Sequence, residues 1–574
     1  MESPMTNADA EEAPLLTHSL VVGVTGHRKL REQDLPGIRT QVAAFLQTLQ
    51  SGYPELPLVL LSSLAEGSDQ LAAEVALDMG LRVIAPLPLP LEQYRDDFDD
   101  AGKAQLERIL ARSDVLVPPP PTLAAGESTA LPGAARDRQY AQAGMFVSSH
   151  CHVLLALWDG RESDRLGGTA QVVRYHLHGA LYGDAERRHA AASLLGPDQE
   201  NVVFHVPVAR QGEEGAVQGQ GRWLVPEDGH EVSSAQLPAA FARMFARQVA
   251  FDADRDKYAQ PIVAQAQAES SPGAARCPVW RTFTAADWLA RTYQRRVARV
   301  LWATYVLVAL MGFTFFTYTH VVSHDLVIYA FLLLFLVGAG VAMLAARRQW
   351  QRKYLDYRTL AEGLRVQSYW RRAGIVQPGT PAFAHDNFMQ KQDVELGWIR
   401  NVMRGASLDG MRVPVADGEG EVDAVIGEWI GGPQSGGQLG YYSSASLRRE
   451  RMHHRAERLG LVCITLGVAL SVVLALFARQ FDAHLKHVLV SVMGLLSVAA
   501  AVHEAYQHKK ADKELVRQYR FMQRIFASAQ RLLAGAHDIA EKRRILVALG
   551  EAALTEHAEW SLMHRERPLP TSRI

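Results

Sequence analysis

Hydrophobic and polar positions follow two different rhythms along this chain. Over residues 20–208 short β-branched runs alternate with amphipathic segments, the pattern of βα units that build a parallel sheet. Strands are predicted at LVVGV from Leu20, PLVLLSS from Pro57, RVIAPLP from Arg82, DVLVPP from Asp114, HVLLALWD from His152 and NVVFHVPV from Asn201. Helices fall between them at 35–51, 68–79, 97–112, 136–149 and 169–181. The prolines at 118–121 and the Ala/Gly-rich run after them read as a surface insertion.

The second rhythm is unbroken hydrophobicity. VLWATYVLVALMGFTFFTYT (300–319) and LVIYAFLLLFLVGAGVAMLAA (326–346) contain no charged residue. About 20 helical residues at about 1.5 Å each cross the roughly 30 Å of a bilayer's hydrocarbon. LGLVCITLGVALSVVLALFA (459–478) and VLVSVMGLLSVAAAV (488–502, extended to Leu485) repeat the design. A buried helix of a soluble protein shows a polar face within two turns, and these segments show none. The reading is four transmembrane helices in two hairpins, about 300–319, 326–346, 459–478 and 485–502.

Lys and Arg set the orientation, because basic residues beside a span are retained in the cytoplasm. Arg291, Arg295, Arg296 and Arg299 precede the first span, and Arg347, Arg348, Arg352 and Lys353 follow the second. Arg448, Arg449, Arg451, Arg455 and Arg458 precede the third, and Lys509, Lys510 and Lys513 follow the fourth. The outer turns hold only Arg479 and Lys486. Both termini and both soluble parts are therefore expected in the cytoplasm. A long charged helix follows each hairpin, at 347–375 and 508–533, and this shared layout suggests an internal duplication. No span carries an ionisable residue at its middle, which argues against an ion-coupled transporter.

The totals narrow the field further. A formal net charge of -1 removes the broad positive field of a nucleic-acid binder, so no nucleic-acid partner is expected. Three distant cysteines, Cys151, Cys277 and Cys463, form neither a disulfide framework nor a CxxC metal pattern. His320, His324, His484 and His487 lie in the outer turns, where short polar segments hold histidine by chance, and no metal site is expected.

Unusual residues collect where the predicted strands end, the rim at which open parallel sheets bind ligands. Strand one ends in Thr25-Gly26-His27-Arg28, strand two leads into Glu66-Gly67-Ser68-Asp69, and strand three ends at Pro86. The fifth ends in Trp158-Asp159-Gly160, and Gly167-Gly168-Thr169 opens the next helix. Glycines let backbone N–H groups approach an anion, and the positive ends of helices at Ser68 or Thr169 favour phosphate. Arg28 can pair with phosphate, His27 can donate a hydrogen bond, Glu66 or Asp69 can accept from ribose hydroxyls, and Trp158 can stack on a base. Each also has a plainer reading as turn, cap or filler of the sheet's end. Their shared placement at strand ends points to a ligand site.

VTGHR, SLAEGSDQLAAEVAL, VIAPLPLPLEQYRDDF and ALWDG with GGTAQVV, in this order over about residues 18–210, resemble the SLOG superfamily of Rossmann-like nucleotide-binding domains. YRTLAEGLRVQSYW and EHAEWSLMHRERPL resemble the SLATT class of two-helix membrane effectors, which are often joined to SLOG sensors in prokaryotic conflict systems. The resemblance implies a nucleotide-derived signal ligand, ADP-ribose-like or a cyclic nucleotide, no permanently bound cofactor, and an oligomeric pore in the inner membrane that serves antiviral defence. Phosphoribohydrolase members of the first group place a catalytic acid shortly after their Gly-rich loop. Here Ala170-Gln171-Val172-Val173-Arg174 follow instead. Binding without turnover is the expectation, with Glu66 the acid or base if the protein is an enzyme.

The fold class expected is therefore an N-terminal α/β Rossmann-like parallel sheet domain plus an all-α transmembrane region with two helical hairpins and long cytoplasmic helices. Its divisions are an acidic disordered start (1–17), the nucleotide-binding domain (18–256), a linker with a pre-membrane helix (257–298), the first hairpin with its cytoplasmic helix (299–405), a Gly-rich linker (406–444) and the second hairpin with its helix (445–574). Partners are the bilayer, a small nucleotide and further copies of the chain. The alternatives are a membrane-tethered nucleotide hydrolase and a non-catalytic membrane scaffold.

Overall fold

The structure, a computed structural model, describes residues 18–116, 128–129, 133–163, 165–178, 201–212, 219–227, 230–269, 277–320, 324–375, 388–389, 394–411, 418–432, 436–477, 479–510 and 512–566. The acidic start at 1–17, the prolines at 118–121 and the end of the helix predicted over 169–181 lie outside them. The chain divides into two units, Met1–Ala286 with Leu360–Ala416, and Asp287–Thr359 with Asp417–Ile574.

The first unit is built on a mixed sheet. Its described strands are β1 (Leu20–Gly26), β2 (Leu58–Leu61), β3 (Arg82–Pro86), β4 (Asp114–Leu116), β5 (Val153–Trp158), β6 (Val203–Pro207), β7 (Arg222–Glu227) and β8 (His230–Ser234). They lie in the order β4-β3-β2-β1-β5-β6-β7-β8, with β1 to β6 parallel and the last two antiparallel. Helices cover the faces of a parallel sheet, so its central strands are apolar throughout. Every residue of Leu58–Leu61 and Val153–Trp158 is buried. The helices are α1 (Leu35–Gly52), α2 (Ser68–Asp78), α3 (Leu91–Arg95), α4 (Asp100–Leu110), α5 (Ala134–His150), α6 (Thr169–His178), α7 (Ala239–Lys257) and α8 (Ala259–Glu269).

All six predicted strands are present. The β7–β8 hairpin was not predicted, because HEVSS is exposed and Pro226 interrupts RWLVPE, so neither gives a clean alternation. Residues 257–298 are expected to hold a linker and a pre-membrane helix; α8 opens that stretch, and α9 (Pro278–His320) begins within it and runs without a break into the first apolar segment.

The larger correction concerns α12 (Gly397–Gly410), which follows α10 (Asp325–Arg347) and α11 (Trp350–Arg372) in the chain. Expected to trail the first hairpin, it instead belongs to the sheet unit. Leu408 joins the core that holds Val21, Leu154 and Trp158. Asp409 takes Arg82 at 3.0 Å, while Arg82 also holds Asp114 at 2.8 Å. His152 accepts from the Val21 N–H through Nδ1 (3.1 Å) and reaches the Asn401 carbonyl through Nε2 (2.9 Å), which fixes a neutral tautomer. Burial, aided by Arg404, lowers the pKa of His152 to about 3. His176, between Ser148 and the Val202 carbonyl, is lowered to about 3 for the same reason.

The second unit is helical. Among the described residues four helices are long and apolar enough to cross a membrane, Pro278–His320, Asp325–Arg372, Gly437–Phe477 and Ala483–Gln507, and they coincide with the four predicted spans. Along α10 large apolar side chains stand exposed, Leu326, Tyr329, Leu333 and Leu336 among them, a surface that suits hydrocarbon and not water. The expected linker at 406–444 is largely structured. After α12 come α13 (Glu419–Val425), a π-helical turn (Ile426–Ile430) and α14 (Gly437–Phe477). Gly431, at φ +63°, approaches Gly436 so closely that a Cβ would overlap its carbonyl oxygen. Helices α15 (Ala483–Lys510), α16 (Asp512–Gly535) and α17 (Ile539–Arg565) complete the unit.

Both hairpins use one plan. A long helix, α9 or α14, runs antiparallel to a span and then to the helix that continues it. Along α9, Phe315 meets Phe331, Leu307 meets Gly338, Arg296 meets Trp350 and Asp287 meets Arg358. Along α14, Ser471 meets Met493, the Ala456 carbonyl meets His503, Glu450 meets Arg520 and Tyr442 meets Phe526. The duplicated layout is thus a duplicated geometry. The hairpins join through α9 and α15. Tyr305 Oη donates to the Ala505 carbonyl (3.1 Å), a Cβ on Gly312 would lie 2.7 Å from Val498, and one on Gly494 would overlap the Phe316 ring. Glycines let helix backbones approach closely where the hydrophobic effect no longer drives association. Helix α17 closes the base: Arg565 holds the fully buried Asp356 at 2.6 Å, with Arg352 on its other oxygen at 3.1 Å. Thr359 meets Ser561, Trp560 meets Tyr354, and Lys542 bridges Glu419 and Asp423 of α13.

Two outcomes follow for the full chain in detergent. Gly494→Val should destabilise by about 1–3 kcal/mol through overpacking against Phe316, whereas Gly467→Ala, with open space around it, should be neutral or gain up to about 1 kcal/mol. Thermal unfolding of both variants checks this, and equal effects would contradict the α9–α15 contact. The lowered pKa of His152 gives stability that is complete above about pH 6.5 and lost as pH falls toward 3, at about 1.4 kcal/mol per pH unit. His152→Asn keeps an acceptor for the Val21 N–H, so its stability should fall about 1.4 kcal/mol per unit less steeply than wild type between pH 6 and 4.

Candidate functional site

The strand order puts β1 at the centre. The chain builds outward through β2, β3 and β4, then returns to the other side of β1 with β5. The crevice beyond the carboxyl ends of β1 and β5 is therefore the switch point at which doubly wound sheets take ligands. The loops singled out in the sequence do converge on this edge, and the hydrogen bonds sort them into a closed half and an open half.

The half toward β5 is closed. Thr25 and Gly26 pair with Ala156 and Leu157 as the last rungs of the β1–β5 ladder. The His27 N–H continues the ladder to the Leu157 carbonyl (3.0 Å), and its Nε2 accepts from the Asp159 N–H (3.1 Å) with the Asp159 carboxylate 3.3 Å away. Arg210, arriving after β6, reaches that carboxylate at 3.4 Å. Trp158 is 7 % exposed, belongs to the core, and donates Nε1–H to the Arg161 carbonyl (3.0 Å). The base-stacking role considered for it gives way to the plainer one. Gly160, at φ +79°, turns the chain beside His205. Pro86 is buried at the end of β3, paired with Leu116.

The start of α2 is docked on the first loop. The Ser68 N–H and hydroxyl both donate to the His27 carbonyl, at 3.1 and 2.9 Å. Gly67 sits at φ +85°, where a Cβ would overlap the Arg28 carbonyl oxygen, and Gly26 has no room for a Cβ beside Ser68. These residues grip the loop itself. The second glycine loop is similarly engaged: the Gly167 N–H donates to Gln171 Oε1 (2.6 Å), and the Gly168 N–H to the Arg165 carbonyl (3.0 Å). Thr169 begins α6 behind them.

The other half is formed by Arg28, Tyr140, Asp69 and Tyr94, and it is open only at Arg28, since Asp69 and Tyr94 are buried and Tyr140 is half-buried. Arg28 is exposed, and its guanidinium lies 4.9 Å from the centre of the Tyr140 ring. Tyr140 is set by α5, which Arg136, one turn earlier, ties to Asp97 (2.7 Å) and to the Gln93 carbonyl (2.9 Å). Gly167 packs against the backbone of Tyr140 and Ala141, bringing the second glycine loop to the same place. Among the described residues the Tyr140 hydroxyl is buried without a hydrogen-bond partner, as are both ends of the Gln70 carboxamide on the first turn of α2. Asp69 is 6 % exposed. Burial raises its pKa to about 7, against a hydrogen bond from the Ala65 backbone and the charge of Arg28. Tyr94 donates to the Ser63 carbonyl (3.0 Å), stands 6.3 Å from the Tyr140 ring, and has its pKa raised by burial and by Asp69. Glu66 is half-buried, and no partner is recorded for its carboxylate among the described residues. Sequence reasoning missed Tyr140, Tyr94, Arg210 and Gln70. Only Gln70, a polar residue in the apolar run after Ser68, left a local signal.

The arrangement offers one exposed cation backed by an aromatic ring, one buried carboxyl that titrates near neutrality, and polar groups lacking partners. That set suits an anion bearing hydroxyls. It is not a nucleophile triad, since the Ser68 hydroxyl bonds the His27 carbonyl and not its ring. The Cys151 thiol, pushed up to about 12 by burial, is equally unsuited to attack. No cluster of three or more metal-ligating side chains occurs among the described residues. No family model matches this chain, and no curated protein matches it.

Substitutions should separate loop-building residues from open ones. Ser68→Ala should cost about 1–3 kcal/mol, and Gly67→Ala more than about 1 kcal/mol because of its positive φ. Glu66→Gln should stay within about 0.5 kcal/mol. Thermal unfolding of the full chain in detergent measures all three, and a Glu66→Gln loss as large as that of Ser68→Ala would contradict this division.

Proposed function

We propose that the sheet unit senses an anionic nucleotide at the Arg28–Tyr140–Asp69 site and that its occupancy controls the helical unit as an oligomeric membrane pore. The observation that carries this reading is Arg28, an exposed guanidinium on an aromatic ring at the switch point of a doubly wound sheet, in a chain with four membrane-length apolar helices. Helices α9 and α11 each continue from one unit into the other, giving a covalent route for a signal. The ligand acts by binding the open state more tightly, because equal affinity for both states shifts nothing. Four helices enclose too little space for a wide pore, so several copies assemble. Arginine and lysine placement favours both termini in the cytoplasm, and the inner membrane is the setting that the resemblance to prokaryotic effectors supports. The resemblance to SLOG sensors and SLATT effectors adds the setting, a prokaryotic defence response, and the ligand class, ADP-ribose-like or cyclic nucleotides.

Liposomes carrying the full chain should become permeable on addition of one member of a nucleotide panel, and unchanged permeability across the panel would refute the effector role. Arg28→Ala should weaken binding by about 1.5–3 kcal/mol. Affinity for the anion should rise as pH falls from 8 to 6, because Asp69 loses its charge beside the bound anion, and Asp69→Asn should abolish this dependence. The hydrolase alternative rests on Glu66, whose carboxylate has no partner among the described residues, and predicts steady product formation that Glu66→Gln abolishes. The scaffold alternative predicts that no nucleotide binds.

A further inference from the structure

The two hairpins share a plan but differ in one respect at their cytoplasmic ends. In the first, the antiparallel register is set on both sides of Arg299: Leu307 meets Gly338 above it, and Arg296 meets Trp350 below it. Interpolation places Arg299 level with Arg347, and Arg348 follows directly. Arg299, Arg347 and Arg348 are exposed, and no ion pair or side-chain hydrogen bond is recorded for them among the described residues. Trp302, three residues into the span, is 62 % exposed. In the second hairpin Gly460 and the Ala456 carbonyl both meet His503, which puts Arg458 at the level of Glu504. There the chain supplies an acid at the matching level, and in the first hairpin it does not.

Two guanidiniums at one level of adjoining helices repel, and the repulsion strengthens beside hydrocarbon, where the effective dielectric is low. These residues mark the boundary of an uncharged segment, since Arg299 directly precedes 300–319 and Arg347 directly follows 326–346. That boundary is where lipid phosphates lie, and an exposed tryptophan at the same depth is a bilayer-interface residue. The geometry points to a binding site for the phosphate headgroup of an anionic phospholipid, held between Arg299 and Arg347 with Arg348 and Trp302 at its rim. This rests on α9 and α10 crossing a bilayer and is independent of the nucleotide reading.

The test uses the full chain, delipidated in a neutral detergent, with phosphatidylglycerol or phosphatidylcholine added back at equal concentration. Phosphatidylglycerol should raise the unfolding temperature by about 2–4 °C more than phosphatidylcholine does. The difference should vanish in the Arg299→Gln/Arg347→Gln double variant and persist in Arg455→Gln, which removes an interfacial arginine from the other hairpin. Arg299→Glu supplies the missing acid in the chain itself. It should match or exceed the wild-type unfolding temperature in phosphatidylcholine alone and gain nothing from phosphatidylglycerol, so a double variant that fails to fold does not end the test. An undiminished lipid difference in either variant would overturn the proposal, as would millimolar inorganic phosphate reproducing the shift, which would make the ligand free phosphate and not lipid.

Discussion

Hydrocarbon contains no water to satisfy a backbone amide, so a chain that enters it must bond its own peptide groups within helices. The form of the second unit follows from this constraint. The spans are helices that overshoot the apolar segment, 43 residues in α9 and 41 in α14, and the overshoot continues as amphipathic helix. An antiparallel partner then has to follow each long helix along its whole length, which is why α10 leads into α11 in unchanged register and α15 into α16 with the pairing shifted along α14. Where ordinary hydrophobic burial no longer favours association, close approach takes over, and Gly312 and Gly494 each face a bulky residue of the opposite helix.

The sheet unit answers to a different constraint, that every buried polar group needs a partner. Most of the rim satisfies it internally. Ser68 and Asp159 bond the His27 loop from two others, Gln171 holds Gly167 within its own, and this bonding holds the edge of the sheet in shape. What remains outside the network is Arg28 over Tyr140, with the buried Asp69 beside them. A stiff frame around a few uncommitted groups is how a preorganised site differs from a merely polar surface.

The parallel strands and the spans could be read from the sequence because each is set by its immediate neighbours in the chain. Apolar runs of four to six residues bounded by glycine give strands, and runs of twenty without a charge give spans. The place of α12 could not be read in this way. Its contact with the sheet joins Asn401 to His152 across 249 residues, and its apolar stripe looks the same whichever unit it serves. The β7–β8 hairpin was missed because its strands are short, exposed and interrupted by proline. The site was legible as a location, since loops at strand ends meet at the switch point whatever their composition. Its chemistry was not, because no local pattern tells whether Ser68 or Trp158 faces a ligand or a neighbouring loop. The partner that gives Arg28 its setting, Tyr140, lies on a helix more than a hundred residues away.

The buried carboxylate Asp356 depends on Arg565, which is 209 residues further along the chain. At roughly 5–20 residues per second of synthesis, the first hairpin waits on the order of 10–40 s for the helix that completes its base. Throughout that interval an acidic group destined for the interior stays hydrated and the seat of α17 lies open. Assembly of the helical unit is thus ordered in time, and the ribosome's pace enters its folding as a kinetic variable.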